Sequence, residues 1–240
     1  VRASSRVSPL DDVNLNRAFP GDPKGSISAQ IAYYVETVLL PMADAVLDLH
    51  SGGKASVFAA CTLPTRTEDP DLYAKNLELA EMFGLPLIWV LGGFNDDRSL
   101  NSAAARVGVP MIAAELGGGG GVDPEITSKT EDGLRRVLSG VGVLNGRPAP
   151  LDTPRRVEIA GNDHSVFAAG EGVFDRIVSA GENVTAGQIA GRLHYALEPR
   201  RPSETVTFPS DGFVLAHTNR GYVQRGDLLM LVTQALQNSW

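Results

Sequence analysis

Residues 43–50, ADAVLDLH, form a short apolar run that ends in a histidine. Two similar runs follow, PLIWVLGG at 86–93 and PMIAAELGG at 110–118, and helix-like segments at 71–84 and 99–108 lie between them. Short apolar strands that alternate with helices are typical of a mostly parallel sheet with helices on its faces. The sequence therefore predicts an α/β fold.

The pattern changes after a Gly/Pro-containing linker at residues 145–154. Short β-branched runs separated by turns follow it, which is typical of antiparallel strands. We therefore predict an α/β domain over residues 1–147 and a small all-β domain over residues 155–240.

One further helix is predicted near the beginning of the chain, in SISAQIAYYVETVLL at residues 26–40. Ser26 and Ser28 are candidate N-caps. The apolar residues at helical spacing are Ile27, Ile31, Tyr34, Val35 and Val38. This spacing predicts an amphipathic helix.

Composition limits the function classes. The chain has 240 residues, 43% of them hydrophobic, and a net charge of −7 without a basic block, which argues against nucleic acid as a partner. No apolar run approaches the roughly 18 residues of a membrane span, and the first residues have no apolar signal core, so we expect a cytoplasmic protein without a membrane partner. The single cysteine, Cys61, lies in an apolar run and is expected to be a buried structural thiol.

Two residues with catalytic potential end predicted strands. His50 ends one apolar run and Glu115 ends another, just before glycines 117–121. The carboxyl ends of parallel strands meet at one sheet edge, where an imidazole and a carboxylate can serve as metal ligand and general base. A core histidine and a strand-capping glutamate remain the alternatives. The glycines lack the lysine and spacing of a phosphate-binding loop, so we expect them to be structural.

A third candidate lies in DDVNLNRAFPGD at residues 11–22. Asn16 and Arg17 place an amide beside a planar guanidinium, a pair suited to a carboxylate ligand. The alternative is that Arg17 only braces its loop against Asp11 or Asp12.

Three motifs in this order, NLNRAFPG at 14–21, DLHSGG at 48–53 and AELGGGG at 114–120, resemble the succinylglutamate desuccinylase/aspartoacylase family. That family is a branch of the zinc carboxypeptidase-like hydrolases. The resemblance implies a zinc-carboxypeptidase-like fold and deacylation of an N-acyl amino acid, a small molecule, by zinc-activated water. The long loop at residues 6–22 looks most like the bacterial deacetylases of N-acetyl-diaminobutyrate in ectoine breakdown.

The same resemblance implies roles for individual residues. Asn16 and Arg17 match the pair that holds the substrate carboxylate. Arg6 matches the arginine that polarises the scissile carbonyl, and the alternative is that Arg6 is only a solvent-exposed arginine. His50 matches the third zinc ligand, and Glu115 matches the general acid/base.

The sequence departs from the family at the first two zinc ligands. Relatives carry them in a His-x-x-Glu stretch before the Asn-Arg motif, and none of the four histidines here is followed three residues later by Glu. We expect this stretch, together with the first strand of the sheet, to lie upstream of Val1. The alternative is a non-catalytic carboxylate-binding relative without the metal site.

The C-terminal segment also resembles a lipoyl/biotinyl-type sandwich at residues 178–193 and 220–232. A carrier of that type needs a lysine at the hairpin tip, and no lysine follows Lys129, which excludes lipoate or biotin attachment there. We expect His164, His194 and His217 to be surface or loop residues. A structural role, substrate gating and homo-oligomerisation remain open for this segment.

Overall fold

The computed structural model describes residues 5–92, 95–146, 152–159 and 161–236. Within these ranges the α-helices are α1 (Ile27–Tyr34), α2 (Pro70–Phe83), α3 (Leu100–Val107) and α4 (Pro124–Gly140). Short 3-10 helices occur at Leu15–Arg17, Leu40–Met42 and Asn162–His164. The strands are β1 (Val46–His50), β2 (Ser56–Phe58), β3 (Cys61–Pro64), β4 (Leu87–Trp89), β5 (Met111–Glu115), β6 (Arg155–Glu158), β7 (Val166–Phe167), β8 (Gly172–Arg176), β9 (Asn183–Val184), β10 (Ile189–His194), β11 (Glu204–Thr207), β12 (Gly212–Thr218), β13 (Tyr222–Val223) and β14 (Leu228–Ala235).

The larger sheet has the order β1-β5-β3-β4-β6-β14-β12-β2. The pairs β1–β5, β3–β4 and β4–β6 are parallel, whereas β3 runs antiparallel to β5. Helices cover both faces of this part, because alternate residues of a strand point to opposite sides. Met111 packs with α1 and α3, and the next residue, Ile112, packs with α2 and α4. The predicted α/β fold with a mostly parallel sheet and flanking helices is confirmed.

The chain after residue 152 is built mainly from antiparallel strands. A second sheet has the order β11-β10-β8-β13, with antiparallel pairing throughout. Its side chains Phe174 and Leu193 share one buried cluster with Val214 and Met230 of β12 and β14. The two sheets therefore pack face to face around an apolar core.

The larger sheet also joins the two predicted domains. β6 follows the predicted linker and pairs with β4, while β2 of the first segment pairs with β12 of the second. Part of the linker, residues 147–151, lies outside the described residues. Among the helices that the structure describes, none has the length and hydropathy needed to cross a membrane.

The predicted helix near the beginning of the chain is present, but its apolar stripe does not face the core. Ser26 is the N-cap of α1, and a π-helix at Val35–Leu39 continues it. The residues expected to face inward, Ile27, Ile31, Tyr34 and Val38, are exposed, Val35 is half-buried, and the buried side carries Ser28, Ala32, Glu36 and Leu40. Glu36 forms a bidentate ion pair with Arg106 of α3, at 2.8 and 2.7 Å. A charged residue thus lies on the packed side because its partner comes from another helix.

Two predictions about single residues have different outcomes. Cys61 is fully buried, and burial raises the pKa of its thiol, which confirms a structural cysteine. The prediction for His217 was wrong, because this residue is 4% exposed within β12. Its Nδ1 lies 2.8 Å from the carbonyl oxygen of Thr218, and burial lowers the pKa of its ring.

Candidate active site

His50 and Glu115 lie side by side at one edge of the larger sheet. They are the last residues of the parallel neighbours β1 and β5, and they face each other in the strand register. The alternation of side chains places both on the sheet face that α1 and α3 cover, together with Asp48. The expectation that the two strand ends meet at one edge is therefore confirmed.

The ring of His50 is held by a carboxylate from its own strand. Its Nε2 lies 2.6 Å from Oδ2 of Asp48, and this hydrogen bond raises the pKa of the imidazole. Within the described part of the chain, no hydrogen bond reaches the other ring nitrogen, Nδ1. His50 therefore has a fixed ring and one nitrogen that can act as a ligand.

Glu115 is half-buried, and one of its carboxyl oxygens is fully buried and unpaired within the described residues. Its Oε2 is inaccessible to solvent and has no hydrogen-bond partner among the described residues. Burial raises the pKa of this carboxyl to about 7, although the positive charges of His50 and Arg6 oppose the shift. A carboxyl with a pKa near neutrality can both accept and donate a proton at physiological pH.

The pKa of Glu115 predicts a pH-dependent stability difference in metal-free protein. Because the pKa is about 7 in the folded state against 4.5 for an ordinary Glu, the folded state holds this proton more tightly than the unfolded state. The resulting stabilisation is complete below pH 4.5 and is lost as the pH rises through about 7. Relative to wild type, Glu115→Gln should gain up to about 3 kcal/mol in unfolding free energy between pH 4.5 and pH 8, at ~1.36 kcal/mol per pKa unit. Urea unfolding of both proteins with a chelator present, at these two pH values, checks this, and an unchanged difference would contradict it.

Arg6 lies close enough to Glu115 to act on it electrostatically. Its side chain is exposed, and its charge lowers the pKa of the Glu115 carboxyl. The structure thus brings the basic group at the beginning of the described chain to the same sheet edge as His50 and Glu115.

Asn16 is oriented by the beginning of α3. It lies in the 3-10 helix Leu15–Arg17, and its Oδ1 accepts a hydrogen bond of 2.7 Å from the backbone N–H of Leu100. This contact fixes which end of the amide is the oxygen. The Nδ2 group of Asn16 consequently remains a donor for a ligand.

Arg17 is braced, but by a different residue from those considered in the sequence. Its Nε lies 3.0 Å from Oδ2 of Asp96, which also holds Arg98 through two hydrogen bonds. Asp11, one of the two expected braces, instead accepts hydrogen bonds from the backbone N–H and hydroxyl of Ser28. Arg17 also lies near His50, since its charge lowers the pKa of that imidazole.

The glycine run joins the two loops that follow the candidate residues. The carbonyl oxygen of Gly117 accepts hydrogen bonds from the N–H groups of Gly52 and Phe58, and the N–H of Gly119 donates to the carbonyl of Ser56. Gly118 has a φ of +151°, and a Cβ there would lie 2.1 Å from the carbonyl oxygen of Ser56. Only glycine permits this approach, so the expected structural role is confirmed.

Sequence reasoning missed Asp48 and Asp96. Asp48 could have been found, because residues two apart on a strand share a face and Asp48 precedes His50 by two positions. Asp96 carries no such local signal, since its contact with Arg17 depends on where the fold places the segment before α3.

A family model described as the succinylglutamate desuccinylase/aspartoacylase catalytic domain matches residues 1–141. The N-alpha-acetyl-L-2,4-diaminobutyric acid deacetylase of Halomonas elongata is 32% identical over 238 residues, which cover 98% of this chain and 69% of that protein.

Two solved structures are also similar to this chain. The product-bound ectoine utilization protein EutE (DoeB) from Ruegeria pomeroyi matches with a TM-score of 0.90 and 31% identity, over 98% of this chain and 71% of that one. A succinylglutamate desuccinylase/aspartoacylase from Rhodobacter sphaeroides matches with a TM-score of 0.90 and 31% identity, over 98% and 72% of the two chains. Each likeness extends over nearly the whole of this chain.

Proposed function

Because the chain belongs to the succinylglutamate desuccinylase/aspartoacylase family, we propose that it hydrolyses the amide bond of an N-acyl amino acid with the aid of zinc. The relatives are named as deacetylases and desuccinylases, so this chain is a hydrolase of amide bonds. The observation that carries the proposal is the buried Oε2 of Glu115, which lies beside His50 and has no hydrogen-bond partner among the described residues. Nα-acetyl-2,4-diaminobutyrate, the substrate named for one relative, is the first compound to test.

The residues at this edge fit part of a zinc site. His50 offers one imidazole nitrogen while Asp48 holds the other, and an imidazole is a preferred zinc ligand. Within the described ranges, no set of three His, Cys, Asp or Glu side chains is placed to hold a metal. His50 is therefore assigned as one ligand. When bound, zinc would lower the pKa of water and polarise the substrate carbonyl.

Glu115 is assigned as the general acid/base. Its carboxylate takes a proton from the attacking water, and the resulting carboxylic acid gives that proton to the leaving amine. A pKa of about 7 supports both steps, because neither form of the group is strongly favoured near neutral pH. Arg6, whose charge reaches this carboxyl, is assigned to the negative charge that develops on the carbonyl oxygen.

Asn16 and Arg17 are assigned to the free carboxylate of the substrate. Asn16 keeps its Nδ2 donor because the helix N–H of Leu100 occupies its oxygen. Arg17 is held through Nε by Asp96, which orients the guanidinium. A guanidinium presents donors in a planar arrangement that an ammonium group cannot reproduce.

Arg17→Lys is expected to have an effect that depends on the substrate. It keeps the charge but removes the planar donors, so kcat/KM for an N-acyl amino acid should fall by about 10- to 150-fold, the equivalent of ~1.5–3 kcal/mol for a charge-assisted hydrogen bond. The matching amide, which has no carboxylate, should lose little. The measurement is kcat/KM for the acid and amide pair, with protein expressed from the intact gene.

Arg98→Lys is a matched control, because Arg98 shares Asp96 with Arg17 and is more exposed. It should affect the acid and the amide equally. If Arg17 only braces its loop, Arg17→Lys should likewise lower kcat/KM equally for both substrates and also lower Tm. Equal losses would therefore contradict the assignment.

A further inference from the structure

Among the residues that the structure describes, Asp48 is the carboxylate in direct contact with His50, the assigned metal ligand. Its Oδ2 lies 2.6 Å from Nε2 of His50, a short distance for a hydrogen bond between a ring nitrogen and a carboxylate. The two residues are two positions apart in β1, so the pleat of the strand places both side chains on one face. The contact between Asp48 and His50 therefore follows from their two-residue spacing in β1.

The neighbouring strand leaves room for this contact. Asp48 faces Ala113 in the register of β1 and β5, and His50 faces Glu115. A small residue opposite Asp48 allows its carboxylate to turn along the strand towards His50. Both side chains are partly buried, with 22% and 34% exposed for Asp48 and His50.

A second His–Asp pair, on the surface of the protein, is more widely separated. Nε2 of His194 lies 3.9 Å from Oδ2 of Asp175, and these side chains are 47% and 68% exposed. That separation is too long for a hydrogen bond. The pair at the sheet edge is shorter and more buried than this surface pair, which sets it apart from an incidental contact.

We propose that Asp48 is a positioning residue that holds Nε2–H of His50 and thereby reserves Nδ1 as the ligand atom. A ring fixed on one nitrogen keeps both its orientation and its lone pair on the other nitrogen. Nδ1 has no hydrogen bond within the described residues, as this role requires. The part that concerns zinc rests on the proposed function, whereas the hydrogen bond itself does not.

The test compares wild type with Asp48→Ala and Asp48→Asn. In metal-free protein, NMR of the histidine rings should show a downfield, exchange-protected Nε2–H proton of His50 in wild type and none in Asp48→Ala. Zinc affinity, measured by competition with a chelator, should fall by about 10- to 100-fold in Asp48→Ala. Asp48→Asn retains an oxygen acceptor on a side chain of the same size. Its zinc affinity should therefore lie between those of wild type and Asp48→Ala.

Asp175→Ala is the matched control and should change neither measurement. A wild-type protein without the protected proton, or an Asp48→Ala protein that binds zinc as tightly as wild type, overturns the role of Asp48. A wild-type protein that binds no zinc overturns the proposed function instead, and the NMR signal still decides whether Asp48 holds the ring. If Asp48→Ala does not fold, Asp48→Asn gives the decision, since unchanged affinity together with a lost proton signal also overturns the role.

Discussion

Glu115→Gln is expected to lower turnover by about 10²–10⁴-fold while zinc stays bound, the usual contribution of a general acid/base. Glutamine has nearly the size of glutamate but cannot accept the proton of the attacking water. The folded site should persist, because Oε2 of Glu115 makes no hydrogen bond with the described residues that the substitution could break. Release of free amine and elemental analysis for zinc, on the same preparation, measure the two quantities.

Glu125→Gln is a suitable control for the removal of one carboxylate. Glu125 is exposed at the beginning of α4, where it pairs with Lys129 on the same helix. Its replacement should leave turnover unchanged. Near-normal turnover in Glu115→Gln would mean that another group acts as the base.

His50→Ala is expected to lose zinc and turnover together. The substitution removes the imidazole assigned as a ligand and leaves the carboxylate of Asp48 without its partner. The loss of zinc affinity should exceed about 10- to 100-fold, which is the loss expected when an outer-shell partner is removed. His194→Ala is the matched control, because His194 also ends a strand and lies near an aspartate, but is exposed. That variant should keep both zinc and activity.

The position of His50 and Glu115 could be predicted because it depends on one local rule. Each ends a short apolar strand, and parallel neighbouring strands end at the same edge of a sheet. The register of β1 and β5 places the two residues opposite each other. The roles proposed for them follow from the same step, since an imidazole and a carboxylate are a common metalloenzyme pair.

The packed side of α1 could not be predicted, because it depends on the neighbours of the helix. The apolar residues at helical spacing lie on the exposed side, and Glu36 lies on the buried side. The charge of Glu36 is compensated by Arg106, which α3 supplies. Helical periodicity identifies a helix but contains no information about a partner from a distant segment.

The contacts that support the site residues could likewise be predicted only in part from the sequence. The contact of Asp48 with His50 could be predicted from strand periodicity, whereas Asp96 contacts Arg17 only because of the tertiary fold. The pKa of Glu115 likewise depends on the folded chain, because burial between β1 and β3 raises it and the charge of Arg6 lowers it. Residue type therefore indicates which groups could react, whereas the tertiary structure determines the pKa and the orientation of each group.

Zinc content and amine release, measured on the same preparations of wild type and His50→Ala, decide whether the protein is a zinc hydrolase with His50 as a ligand. Wild type should hold zinc and release free amine from Nα-acetyl-2,4-diaminobutyrate or another N-acyl amino acid, whereas His50→Ala should do neither. Full zinc occupancy in His50→Ala would contradict the ligand assignment. A wild-type protein that binds N-acyl amino acids but holds no zinc and releases no amine would contradict the proposed function and identify a carboxylate-binding relative instead.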